Sequence, residues 1–175
     1  RMEIGGNLLE TKLVGSYNAM NVMAALSVGR QFGVPMREAL DAIAGYTPSN
    51  NRSQIVRTGS NTLIVDAYNA NPSSMALALE NLALAEGPKA ALLGEMRELG
   101  EASLEEHVKI AATLGRFDFV ALAGEEFVKA AGERYPAFKT SEELAAYLKE
   151  HPLKGYTVLV KGSRGIRMED VTPCL

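Results

Sequence analysis

The sequence has little of what would place it outside the cell or in a membrane. It holds one cysteine, Cys174, among 175 residues. A lone thiol forms no internal disulfide, and a reducing compartment is the expected setting. No apolar run approaches the roughly 20 residues of a membrane span. No signal-peptide pattern opens the residues given. No basic run occurs and the formal net charge is -3, so there is no electrostatic case for nucleic acid or an anionic membrane. The expectation is a cytoplasmic protein without membrane insertion.

Three chemical signatures are also missing. There is no G-x-S-x-G nucleophile elbow. No cluster of His, Cys, Asp and Glu has metal-ligand spacing, so no metal site is expected in this chain. No G-x-x-x-x-G-K-S/T phosphate loop occurs, so any nucleotide reading needs that loop upstream. The sequence begins at Arg1 rather than Met and opens directly into strand-like residues. A piece cut from a longer protein is expected.

What is present is an ordinary globular composition, 47% apolar and 22% charged. It suits one domain, or one domain and part of another. Residues 1–14 read as two short strands around Gly5-Gly6-Asn7. A helix follows, with Ser16 as its N-cap and Ala19, Met20, Met23, Ala24 and Ala25 leading an apolar face. Gly33 stops it. Pro35 starts a second helix with Ala39, Leu40 and Ile43 on one face, ended by Gly45. The turn formers Thr47-Pro48-Ser49-Asn50-Asn51 mark a domain boundary, giving segments 1–49 and 50–175.

Beyond the boundary, strands alternate with helices. Strands are predicted at Gln54–Arg57, Thr62–Asp66, Lys89–Leu93, Phe119–Ala123, near Phe138, and at Thr157–Val160. Helices are predicted at about Ser73–Glu86, Leu104–Leu114, Glu126–Gly132 and Ser141–Lys149. This order implies an α/β fold, a mostly parallel sheet with helices on both faces. The strands end in small or polar residues: Asp66, Gly94-Glu95, Gly124-Glu125 and Lys161-Gly162-Ser163-Arg164. Parallel strands share one carboxyl edge, where ligands of open α/β sheets bind.

Several residues could carry chemistry there. Asn18 and Asn21 share a helix face and could read the edge of an adenine, or serve as helix caps. Arg52 could neutralise a phosphate, or be a solvated surface arginine. Asp66 could accept from ribose hydroxyls, with Tyr68, Asn69 and Asn71 beside it. The alternative is a turn of good turn formers before an N-capping Ser73 or Ser74. Glu95, Arg97 and Glu98 form a charged loop, and His107 on the next helix reads as structural or solvated. Lys161, Ser163 and Arg164 could hold a carboxylate or phosphate, or end the sheet as a basic loop.

Five segments in order resemble the Mur ligase family. GSYNAMNVMAALSV is similar to its asparagine-bearing helix and NRSQIV to its Gly-Arg linker. VDAYNANPSSM, LLGEMRELGEASLEEH and VLVKGSRGIRMEDV resemble further blocks of the branch that joins D-Ala-D-Ala to UDP-MurNAc-tripeptide. Two positions depart from the pattern: Tyr17 where the family often has His, and Asn51 where it commonly has Gly.

The resemblance implies a C-terminal Rossmann-like domain over residues 50–175. It implies that residues 1–49, a hairpin and two helices, are the end of a central P-loop ATPase domain. ATP would be met by Asn18, Asn21, Arg52, Asp66 and Tyr68. Asn69, Asn71, Glu95, Lys161, Ser163 and Arg164 would line the substrate side. Mg²⁺ ligands, the phosphate loop and the sugar-binding domain would lie upstream. No catalytic set would be complete in this chain, and the 175 residues alone are expected to be inactive. The alternatives are another Mur or folylpolyglutamate-type ligase, and a non-catalytic nucleotide-binding module.

Overall fold

A computed structural model describes residues 1–13, 15, 18–47 and 52–175. The expectations placed on Ser16, Tyr17 and 48–51, including the boundary turn, lie outside the described residues.

Strands β1 (Met2–Ile4) and β2 (Asn7–Leu9) pair antiparallel, with Ile4 opposite Asn7. The two residues between them, Gly5 and Gly6, have φ of +56° and +79°. Positive φ at both positions is the pattern of a type I′ two-residue hairpin loop, and glycine adopts it without Cβ strain. Helix α1 (Asn18–Gln31) ends in a Schellman motif: the Val34 N–H donates to Gly29 O at 2.9 Å and the Gly33 N–H to Arg30 O at 3.1 Å. Helix α2 (Met36–Gly45) starts after Pro35. Leu9, Val22 and Leu26 form a small core with Ala39, Leu40 and Ile43 packed on it.

The α1 face differs from the expected one. Val22 and Leu26 are buried, whereas Met20 is 75% exposed and Met23 45%. The helix is apolar nearly all round, so periodicity could not choose the face. The hairpin and α2 choose it.

The main sheet begins with β3 (Gln54–Arg57) and β4 (Thr62–Asp66), an antiparallel hairpin. There follow α3 (Pro72–Ala83), β5 (Lys89–Gly94), α4 (Ser103–Ala112), β6 (Phe119–Ala123), α5 (Glu125–Ala131), β7 (Ala137–Phe138), α6 (Ser141–Glu150) and β8 (Thr157–Lys161). The order is β3-β4-β8-β5-β6-β7, and every pairing beyond β3 is parallel. Alternate residues feed two cores. Ala90 and Leu92 of β5 and Val158 and Val160 of β8 face α6 residues Leu144 and Leu148. Ala91, Leu93 and Leu159 face Met75, Leu79 and Leu82 of α3 and Phe127 of α5. Period-2 alternation with both faces apolar is what a doubly covered parallel strand requires.

The chain leaves β4, skips one place to β5, and continues outward to β6 and β7. β8 then returns to fill the skipped place. The reversal therefore sits at β4, β8 and β5. Their carboxyl ends bring Asp66, Lys161 and Glu95 to one edge. Among the described residues, no helix is long and apolar enough to cross a membrane.

Candidate nucleotide site at the carboxyl edge of the sheet

A cavity of about 670 Å³ lies between the two helices of the N-terminal segment and the ends of β4 and β8. Leu13, Val22, Ala25, Ala42, Ile43 and Tyr46 give it an apolar wall. Asn18, Asn21, Arg52 and Ser53 flank that wall, and Asp66, Tyr68, Asn69, Asn71, Ser74 and Lys161 complete the opposite side. Eight of the eleven residues singled out from the sequence thus meet in one space. Glu95, Ser163 and Arg164 do not line it.

On α1, the Asn21 side-chain N–H donates to Asn18 Oδ1 at 2.9 Å. The pair is locked in one orientation. Asn21 is exposed and lines the cavity, and its amide oxygen is an acceptor that an amino group could meet.

Asp66 closes β4. Its carboxylate accepts from the Ser53 N–H at 3.0 Å and from Lys161 Nζ at 2.5 Å. Lys161 is 1% exposed and also donates to Asn69 O at 3.1 Å. Burying an ammonium is costly unless it is paired and hydrogen-bonded, and both conditions hold. Ser53 has φ +49°, a left-handed backbone uncommon for serine. That conformation aims its N–H at Asp66.

Two guanidiniums lie close to the Tyr68 ring. Arg52 Cζ is 3.7 Å from the ring centroid and Arg164 Cζ 5.4 Å. Hydrogen bonding and charge from Arg52, then from Arg164, hold the phenol below its ordinary value near 10. Among the described residues, neither arginine has a carboxylate partner. Two such cations beside a tyrosine can receive a phosphate or carboxylate.

The polar turn after β4 is held by its own amides. Asn69 Oδ1 accepts from the Ala70 N–H at 2.9 Å. The N-cap of α3 is Asn71, not the expected Ser73 or Ser74. Its side chain accepts from the Ser74 N–H at 2.8 Å, and Ser74 Oγ accepts in return from the Asn71 N–H at 3.1 Å. Pro72 at N1 makes asparagine one residue earlier the natural cap.

The remaining three predicted residues belong to the neighbouring loops. Glu95 pairs with Arg97 at 3.3 Å and packs against Gly124. The Arg97 guanidinium covers Gly165, where any Cβ would run into it. Ser163 is 4% exposed. Its hydroxyl accepts from the Arg97 N–H at 2.9 Å and donates to Ala70 O at 3.3 Å, so it serves the protein's interior. His107 is fully buried, as a structural histidine should be. Nδ1 meets Ser103 O at 2.7 Å and Nε2 accepts from the Met96 N–H at 2.9 Å, which fixes the Nδ1–H tautomer.

Sequence reasoning missed Tyr46 and Ser53, along with the rest of the apolar wall, and read Ser74 only as part of the turn and a possible cap. Tyr46, an aromatic at the end of a helix and 51% exposed, was the one with a signal. Ser53 had none, because its contribution is a backbone N–H. Among the described residues, no group of three or more His, Cys, Asp or Glu is placed to hold a metal.

Comparison with known proteins gives a consistent picture. The model of the Mur ligase glutamate ligase domain matches residues 51–164. UDP-N-acetylmuramoyl-tripeptide--D-alanyl-D-alanine ligase of Treponema pallidum (strain Nichols) is 35% identical over 97% of this chain and 39% of its own length. The ligase of the same name from Bacillus subtilis (strain 168) is 30% identical over 91% of this chain and 38% of its own. Among solved structures, MurF from Thermotoga maritima in complex with ADP superposes with TM-score 0.79 at 27% identity, covering 93% of this chain and 38% of that one. A MurF structure from Acinetobacter baumannii gives TM-score 0.83 at 25% identity, over 95% of this chain and 39% of that one. The chain thus spans about two fifths of the length of these relatives. By its matched domain, its fold and its relatives, the chain belongs to the Mur ligase family.

Proposed function

We propose that the chain is the C-terminal part of an ATP-dependent ligase that joins D-Ala-D-Ala to UDP-MurNAc-tripeptide. One observation carries the nucleotide side: eight sequence-selected polar residues line a single 670 Å³ cavity that also has an apolar wall. That volume lies within the usual range of ligand sites. The apolar wall suits a base, the Asn18–Asn21 pair its polar edge, Asp66 a ribose, and Arg52 a phosphate. The relatives' names support the acceptor and donor, and the ADP in the Thermotoga maritima structure supports the nucleotide.

In this reading residues 1–49 end a central ATPase domain and residues 50–175 form the C-terminal domain. The small core of Leu9, Val22 and Leu26, separate from the two cores of the main sheet, supports that division. In the same reading Mg²⁺ and its ligands belong to the upstream domains. A cytoplasmic location goes with the reading.

The reaction activates the tripeptide carboxylate by phosphoryl transfer from ATP, releasing ADP. The dipeptide amine then attacks the acyl carbon and expels phosphate. This chain's residues contribute position and charge: Arg52 beside the phosphates, Arg164 and the 95–97 loop on the dipeptide side. Alone, the 175 residues lack a phosphate loop and turn over nothing.

The test uses the gene product read upstream through Arg1. ADP release with UDP-MurNAc-tripeptide should depend on D-Ala-D-Ala and should not be supported by glutamate or other single amino acids. Equal activity with a single amino acid would move the chain to another branch of the family. Absence of any ligase activity would leave a nucleotide-binding module.

A further inference from the structure

The three loops at the carboxyl edge are tied together at one buried hydroxyl. Three consecutive amides of the loop after β5 are each taken by a different element. The Glu95 N–H donates to Ala123 O at 2.8 Å, the Met96 N–H to His107 Nε2 at 2.9 Å, and the Arg97 N–H to Ser163 Oγ at 2.9 Å. Ser163 also donates its own N–H to Glu95 O at 3.2 Å. Its hydroxyl proton goes to Ala70 O at 3.3 Å, in the turn after β4. Lys161, two residues earlier, donates to Asn69 O in the same turn.

A serine hydroxyl has one proton to give and lone pairs to receive. Here it receives from the β5 loop and gives to the β4 turn, so each bond polarises the other. Among the described residues Ala70 O accepts from no second donor, and Ser163 is 4% exposed, so water cannot replace the link cheaply.

We propose that Ser163 is a positioning residue that couples the Asn69–Asn71 turn, on the nucleotide cavity, to the Glu95–Arg97 loop outside it. The two loops then move as one body. The coupling itself is independent of the ligase reading; its effect on nucleotide affinity rests on that reading.

The test compares Ser163→Ala with Ser163→Thr in the 175-residue chain, following amide hydrogen exchange residue by residue. Ser163→Ala should speed exchange at Arg97 and at Ala70, Asn71 and Ser74 by tenfold or more. Met96, held by His107, should stay within twofold. Ser163→Thr keeps a hydroxyl and should restore at least half of the protection. Should Ser163→Ala fail to fold, Ser163→Cys, a weaker donor and acceptor, should show the same pattern at smaller size. Faster exchange at Arg97 with no change at Ala70–Ser74 overturns the proposal. So does a uniform rise across all strands, which marks a merely structural role. ATP titration of the gene product read upstream through Arg1, which would supply the phosphate loop, is a separate arm: wild type that binds no ATP counts against the cavity reading and leaves the exchange result standing.

Discussion

Lys161 and Asp66 face each other at the ends of adjacent parallel strands, 95 positions apart in sequence, with Nζ 2.5 Å from Oδ2. The lysine is buried and the aspartate side chain retains 16% exposure. Lys161→Met keeps the stem and removes the charge. It leaves a partly buried carboxylate with only the Ser53 N–H and strips Asn69 O of its donor. Breaking a buried pair on one side costs roughly 3–5 kcal/mol, and the residual exposure of Asp66 places this case near 3. Urea unfolding measures it, and a loss below about 1 kcal/mol would show that the pair is better solvated than its geometry indicates.

Tyr68 should titrate below its ordinary value near 10 because of Arg52 first and Arg164 second. A depressed folded-state value means that the tyrosinate is favoured in the folded protein. The associated stability therefore appears only as pH rises through the folded value, is complete above the unfolded one, and is absent at neutral pH. The protein has six tyrosines and no tryptophan, so ultraviolet difference titration at long wavelength is clean. Tyr68→Phe should remove the earliest phenol transition. Arg52→Gln should move it back toward 10, and an unmoved transition would refute the assignment.

His107→Leu should release the loop after β5. The Met96 N–H loses its partner in a site closed to water, and the partly buried Ser103 O loses its side-chain donor. Unsatisfied buried groups cost about 1–3 kcal/mol each. Thermal unfolding should show that loss, and exchange at Met96 should rise while Arg97 stays protected by Ser163.

Gly94→Ala should destabilise by roughly 1–3 kcal/mol through overpacking. A Cβ there would sit 2.5 Å from both Ile166 Cγ2 and Met168 Cγ, which close the sheet's edge. Gly59→Ala is the control. It meets nothing within 4 Å. It should change stability by no more than about 0.5 kcal/mol.

The strands were legible because apolar runs such as AALLG and FVALA are bounded by polar or glycine residues. Their predicted bounds agree with Gln54–Arg57, Thr62–Asp66 and Phe119–Ala123. Strand order was not legible, since nothing in β8 marks it as the strand between β4 and β5. The buried face of α1 was hidden by a helix with methionine, valine and alanine on all sides. In the site, charge and amide content exposed Asn18, Arg52 and Asp66. The interior duties of Ser163 and Lys161 were not visible, because a polar residue after a strand looks the same whether it meets a ligand or another loop.

The place of β8 has a consequence for how the protein is made. It is the last strand in chain order, yet it joins β4 to β5 at the middle of the sheet. Until residues 157–161 leave the ribosome, β4 has only its hairpin partner, β5 has only β6, and Asp66 awaits its lysine. Such long-range parallel pairing is slow to form. The nascent chain therefore waits with two unjoined half-sheets whose apolar edges are open, the state in which a chaperone, or a neighbouring copy, would find it.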